Sequence, residues 1–185
     1  MQDYHSFIAE VLIPEDQLKA RIQELGEEIS QDYAGKEILA ICILRGGVMF
    51  LTDLIRHIEP LVAIDFMGVS SYGVGLRSSD GHVRITLDLS TSIDGKHVLI
   101  VEDIIDSGNT LASVIEMLQT RHPASLEVCT LLNKASRREV DIPIKYCGFV
   151  IPDKFVFGYG LDMDEFYRNL PFIGVVDLEK YEVKD

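Results

Sequence analysis

Residues 15–33, EDQLKARIQELGEEISQDY, set Leu18, Ile22, Leu25 and Ile29 three or four positions apart, with charged residues between them. A single apolar stripe on that period predicts an amphipathic helix packed on a core. The pattern then changes. EILAICIL (37–44) is a short continuous apolar run, followed by Arg45-Gly46-Gly47 and by VMFLTDLIRHI, which reads as helix. Strand, glycine turn and helix in that order open a βαβ unit. VAIDFMGVS (62–70) predicts a second strand, too apolar at VAIDF for a surface edge. It leads into a long polar stretch, SYGVGLRSSDGH, and then into VRITLDLS, which alternates as a half-buried strand does. With the turn IDGK this section predicts a hairpin-like excursion. HVLIVE (97–102) is again strand, and TLASVIEMLQTRH is helix with Leu111, Val114, Ile115 and Leu118 on one stripe. SLEVCTLLN, IKYCGFVI and KFVFGYGL read as further strands, the last two parted by Pro152-Asp153.

Strands nearly continuous in Val, Ile and Leu, alternating with helices, predict an α/β fold with a mostly parallel central sheet and helices on both faces. A length of 185 residues suits one domain with a sizeable core. The net charge of −13 opposes general binding of polyanions, so no nucleic-acid partner is expected. Cys42, Cys129 and Cys147 are scattered among apolar residues without a CxxC spacing, the pattern of buried reduced thiols in a cytoplasmic protein. The first residues hold early acids and no basic segment, unlike a secretory signal. No apolar run approaches the roughly 20 residues that span a bilayer, so a soluble protein without a membrane partner is expected. The five histidines show no metal-ligand spacing.

The residues hardest to explain as structure stand at predicted strand ends: Leu44 to Gly47, Glu102 to Thr110, and Lys134. In open α/β sheets ligands bind beyond the carboxyl ends of the strands, where strand order switches. In the turn Asp106-Ser107-Gly108-Asn109-Thr110, Gly108 permits a bend and the small polar residues bring donors to a helix N-terminus, which favours a phosphate. The same residues also make an ordinary helix cap. Glu102 and Asp103 are successive positions at the end of a buried strand and should point to opposite faces, so one solvated face does not account for both. Carboxylates accept hydrogen bonds from vicinal hydroxyls and can hold a metal, so a phosphate beside a sugar satisfies both halves of the motif.

VLIVEDIIDSGNTL resembles the phosphoribosyl pyrophosphate signature of the type I phosphoribosyltransferases, and the rest of the chain resembles the bacterial hypoxanthine-guanine branch. LRGG at 44–47, SYG at 71–73, the signature at 100–111, LLNK at 131–134 and PDKFVFGYGLD at 152–162 occur in that order and extend over nearly the whole chain. The resemblance implies one domain over residues 1–185, with a lid loop at about 69–84 and a small hood made from the N- and C-terminal segments. It implies that Glu102 and Asp103 hold the ribose hydroxyls and that Asp106, Ser107, Gly108, Asn109 and Thr110 hold the 5′-phosphate. Asp106 would be the catalytic carboxylate that handles the purine N7 proton. Leu44, Arg45 and Gly46 correspond to a pyrophosphate loop with an unusual cis peptide before Arg45, and Arg168 to a second pyrophosphate ligand. Lys134 would donate to the purine 6-oxo group, Phe155 would stack on the base, and the Val156 backbone would read the purine edge. Asp162 falls at the purine site and at a magnesium position, which Glu102 and Asp103 share. Ser71 and Tyr72 belong to the lid.

The implied reaction joins hypoxanthine or guanine to phosphoribosyl pyrophosphate with Mg²⁺, giving IMP or GMP and pyrophosphate, in a homodimer or homotetramer. Two positions depart from the family: Asn109 where some relatives have Lys, and Met163 where an aromatic residue is common. A regulator of the same fold that senses phosphoribosyl pyrophosphate and binds RNA is the alternative. A signalling receiver domain fits poorly, because about 100 residues precede VLIVED and SGNT follows it at once.

Overall fold

Continuous burial along the central strands reflects a sheet covered on both faces. The computed structural model describes residues 3–71 and 83–181. In chain order these form β1 (Ile8–Ile13), α1 (Glu15–Asp32), β2 (Ile38–Leu44), α2 (Val48–Leu54), β3 (Val62–Ser71), β4 (Val83–Leu87) and β5 (His97–Ile105). There follow α3 (Asn109–Gln119), β6 (Ser125–Asn133), β7 (Tyr146–Val150), β8 (Val156–Phe157) and β9 (Ile173–Val176). Six strands make the main sheet in the order β4-β3-β2-β5-β6-β7. All neighbours are parallel except the edge strand β4, which pairs antiparallel with β3, as the hairpin reading expected.

On one face Ala40, Cys42, Leu99 and Val101 pack with Leu18, Ile22, Leu25 and Ile29 of α1 and with Phe50, Leu51 and Leu54 of α2. On the other, Leu39, Ile41, Ile43, Val98 and Ile100 pack with Leu111, Val114 and Leu118 of α3. Burial on both faces is why these strands read as continuous apolar runs rather than alternating ones. From β2 the chain moves outward through α2 to β3, whereas from β5 it moves the other way through α3 to β6. Crossovers of one hand running in opposite directions put their helices on opposite faces, and leave a crevice at the carboxyl ends of β2 and β5.

Asp65 interrupts the apolar run VAIDF and is buried. Burial alone would raise its pKa, but N–H groups of Phe66, Thr91 and Ser90 donate to the carboxylate and bring it below the usual range. The side chain thereby ties the turn after β4 to the sheet.

A second, antiparallel sheet has the order β1-β9-β8, so segments from both ends of the described chain meet in it. Phe7, Phe157, Met163, Tyr167 and Val176 form its own small core, with Phe7 and Phe157 ring centroids 5.4 Å apart. Two predicted elements come out shorter. The strand read at KFVFGYGL stops at Phe157, because Gly158, Tyr159 and Gly160 all take positive φ and turn the chain away. VMFLTDLIRHI is α-helical only to Leu54 and finishes as a 3₁₀ turn at Ile55–His57.

Candidate active site

The loop after β2 is shaped by what lies against it. The Leu44-Arg45 peptide bond is cis, at the position the sequence resemblance implied. A Cβ placed on Gly46 would stand 1.5 Å from Asp103 Oδ2, so only glycine permits this approach. From the other side, a Cβ on Gly160 would meet Gly46 O at 2.1 Å, and Gly160 has φ +97. The Gly46 backbone thus lies directly against the Asp103 side chain on one side and against the Gly160 backbone on the other.

Glu102 and Asp103 lie in the C-terminal half of β5, which runs on to Ile105, at the point where its pleat changes step. Val101 and Ile104 both pack toward α1 and α2, three residues apart, so strict alternation breaks between them. Burial raises Glu102 well above the usual carboxylate range, and the neighbouring Asp103 charge adds to that. Its Oε2 is buried without a hydrogen-bond partner. Asp103 is pushed up to about 6, chiefly by burial; the Ile104 N–H, 2.8 Å from Oδ1, and the Arg168 charge oppose the rise. Two carboxyl groups whose ionised forms lack compensation are suited to hydroxyl donors or a cation. Asp162, whose charge adds to the rise at Asp103, is the third acid of the expected metal set. Among the described residues no group of three or more His, Cys, Asp or Glu side chains is placed to hold a metal unaided. The unpaired Glu102 oxygen and the dispersed acids therefore fit an ion that shares its ligands with a bound substrate, as Mg²⁺ commonly does.

At the signature turn, Gly108 occupies the N-cap of α3 with φ 90, and no side chain caps the helix. The Asn109 amide group donates to Glu139 Oε2, and the Ser107 carbonyl accepts from the Glu139 N–H at 2.9 Å. Ser107 Oγ accepts only a long bond, 3.4 Å, from Asn109 N–H. The N-cap residue itself therefore gives α3 no side-chain cap, and N–H groups at such a helix start are the donors that anions take. Arg138 lies behind the turn: its Nη1 would be 2.9 Å from a Gly108 Cβ, and its Nη2 donates to Asn133 Oδ1 at 2.5 Å.

Lys134, at the end of β6, is buried, and its N–H donates to Ile105 O at 3.0 Å, which brings it beside the signature. Its Nζ stands 4.0 Å from Asp106 Oδ2 and 3.8 Å from Asp153 Oδ1. Arg137 bridges the same two acids, with Nε 3.2 Å from Asp106 Oδ1 and Nη1 3.3 Å from Asp153 Oδ2. Arg137 and Asp153 were not singled out from the sequence; the one signal was their nearness to Lys134 and Phe155 along the chain. Phe155 is half-exposed, whereas Phe157 is fully buried and Val156 is paired with Val175 in the second sheet.

The loop after β8 closes the opposite wall. Arg168 donates to Gly160 O at 2.8 Å and pairs with Asp162 Oδ1 at 2.9 Å. Glu165 pairs with Arg45 and lies 3.5 Å from Arg168 Nη2. Ser71 closes β3 opposite Val83, and Tyr72 lies outside the described residues. The arrangement thus gathers Leu44, Arg45, Gly46, Asp103, Asp162 and Arg168 on one side of the crevice, and Asp106 with Lys134 on the other.

Residues 14–164 match the family model described as the phosphoribosyl transferase domain. Over 171 residues the chain is 53% identical to hypoxanthine phosphoribosyltransferase of Salmonella typhimurium, covering 91% of this chain and 96% of that protein. Over 177 residues it is 49% identical to hypoxanthine-guanine phosphoribosyltransferase of Staphylococcus aureus, covering 96% and 98%. A crystal structure of a hypoxanthine phosphoribosyltransferase from Staphylococcus aureus superposes with a TM-score of 0.92 at 48% identity, covering 97% of each chain.

Proposed function

The chain belongs to the phosphoribosyl transferase domain family, and from that membership we propose that it is a purine-salvage enzyme. It transfers the 5-phosphoribosyl group of phosphoribosyl pyrophosphate to hypoxanthine or guanine, giving IMP or GMP and pyrophosphate. The observation that carries the reading is the juxtaposition at one crevice of an uncapped helix N-terminus, two under-compensated acids and a buried lysine.

In the reaction, a bond forms between a purine ring nitrogen and ribose C1 while the bond from C1 to the pyrophosphate oxygen breaks, through a transition state with oxocarbenium character. The turn at Asp106 to Thr110 binds the 5′-phosphate with its backbone N–H groups. Glu102 and Asp103 accept from the ribose hydroxyls. Arg45 and Arg168, with the backbone of Leu44 and Gly46, receive the departing pyrophosphate. Glu102, Asp103 and Asp162 would hold Mg²⁺, which would supply positive charge against the leaving group.

Lys134 donates to the purine 6-oxo group, and Phe155 covers the ring. Val156 presents backbone to the purine edge, and Asp162 closes that side. Asp106 takes the base proton, for which it must leave its ion pair with Arg137. Ser71 and Tyr72 belong to a lid that keeps water from C1, and β1, β8 and β9 form the hood. The enzyme works in the cytoplasm, in keeping with three free cysteines and with the absence, among the described residues, of a helix long and apolar enough to cross a membrane.

Incubation with phosphoribosyl pyrophosphate, Mg²⁺ and each base, with products separated by chromatography, tests this. IMP and GMP are expected with one pyrophosphate each, and their loss on adding EDTA. RNA binding without nucleotide formation would replace the enzyme by the regulator.

A further inference from the structure

Glu165 is a group that the transfer reaction does not use, yet it sits on both cations that the leaving group needs. Arg45 comes from the loop after β2 and Arg168 from the far side of the loop after β8, and the same carboxylate oxygen, Glu165 Oε2, faces both. Arg45 is largely exposed, whereas Arg168 is held on its own side of the pair. Arg168 is anchored by Gly160 O at 2.8 Å and by Asp162 at 2.9 Å, and Gly160 itself rests on the Gly46 carbonyl. The carboxylate is aimed by its backbone: Asp164 and Glu165 both take positive φ, 50 and 71, and the Glu165 N–H donates to Asp162 Oδ2 at 2.9 Å. Consecutive left-handed residues other than glycine are uncommon and hold a side chain in a direction that ordinary backbone does not offer.

We propose that Glu165 is a stand-in for pyrophosphate, a carboxylate that occupies Arg45 and Arg168 in the ligand-free site, yields them when the pyrophosphate group binds, and returns as it leaves. This rests on the reading that Arg45 and Arg168 bind pyrophosphate. Each pyrophosphate-bearing ligand must break the Glu165 pairs before it reaches the arginines, so its affinity is lowered by whatever those pairs contribute. The purine makes no such exchange. The side chain of Glu165 is 60% exposed, and pairs of that exposure are weak and screened. Two of them on one oxygen correspond to a factor of about 2 to 10 in affinity.

The test is the inhibition constant of inorganic pyrophosphate and the KM values of both substrates, measured for the wild type, Glu165→Gln, Arg45→Gln and Arg168→Gln. Glu165→Gln keeps the length and exposure of the side chain, and a thermal melt checks its fold. The expected result is that Glu165→Gln lowers the pyrophosphate inhibition constant and the phosphoribosyl pyrophosphate KM about 2- to 10-fold, leaves the KM for base unchanged, and loses this advantage at high salt. A residue that merely braces the loop would instead weaken pyrophosphate on substitution. If the arginine variants weaken pyrophosphate while Glu165→Gln fails to tighten it, the stand-in role is overturned and the site reading survives. If neither arginine variant weakens pyrophosphate, both fall.

Discussion

Gly46→Ala isolates the contact on which the crevice is built. The new Cβ would lie 1.5 Å from Asp103 Oδ2 and 2.6 Å from its Cγ, where ordinary contact begins near 3.4 Å. The carboxylate must therefore retreat by about 2 Å, the difference between that contact distance and the present one. Gly46 is not among the glycines with positive φ, so alanine meets no backbone penalty of that kind and the side chain of Asp103 takes the displacement. A misplacement of about 1 Å in a positioning group costs on the order of 100-fold. A fall of at least about 100-fold in kcat/KM for phosphoribosyl pyrophosphate is expected, with a thermal midpoint within a few degrees of wild type. The cycle with Asp103→Ala separates this cause from a general disturbance of the loop: once the carboxylate is gone, Gly46→Ala should cost little more. Wild-type kcat/KM in Gly46→Ala, or full additivity in the cycle, would refute the reasoning.

Asp106→Asn should lower kcat about 100- to 10,000-fold with an unchanged melting temperature, since a positioned acid or base contributes that range; unaltered turnover removes Asp106 from the chemistry. Lys134→Met keeps the buried stem and deletes the donor, so kcat/KM for hypoxanthine should fall about 10- to 150-fold, with little change in the KM for phosphoribosyl pyrophosphate. Asp103 sets a pH dependence in the ligand-free, metal-free protein. Its pKa rises on folding from 3.8 to about 6, so its contribution to stability is complete below about 4 and is lost as pH rises through about 6. Asp103→Asn escapes that loss and should gain on wild type between pH 4 and 7, by up to about 3 kcal/mol for a two-unit shift. Melts whose difference stays flat across that range contradict the assignment.

The parts of the molecule that could be read from the chain are those whose physics is local. Leu18, Ile22, Leu25 and Ile29 announce α1 by spacing, and all four are buried. The apolar runs of β2, β5 and β6 announce a covered parallel sheet for the same reason. The second sheet was hidden because β1 exposes Ala9, Glu10 and Val11 without a period, and β8 is two residues long. Its stability comes from Phe7 and Phe157, 150 positions apart, meeting in three dimensions.

At the crevice the signature acids and Gly108 were legible as chemistry out of place. What they touch was not. Gly46 against Asp103, Gly160 against Gly46, and Arg137 across Asp106 and Asp153 are contacts between distant segments that no spacing encodes. The turn before α3 was ambiguous for a different reason. Ser, Asn and Thr serve equally as caps and as anion donors, and the chain alone does not show that Gly108, which has no side chain to cap with, takes the N-cap position.

The central claim is that the crevice couples a phosphoribosyl donor to a base recognised through its 6-oxo group. The ratio of kcat/KM for hypoxanthine to that for adenine, with phosphoribosyl pyrophosphate and Mg²⁺ saturating, tests it most directly. A buried ammonium that donates to an oxo group meets a donor in adenine, so the ratio is expected to reach on the order of 10,000. Comparable turnover of adenine, or no nucleotide from either 6-oxopurine, would contradict it.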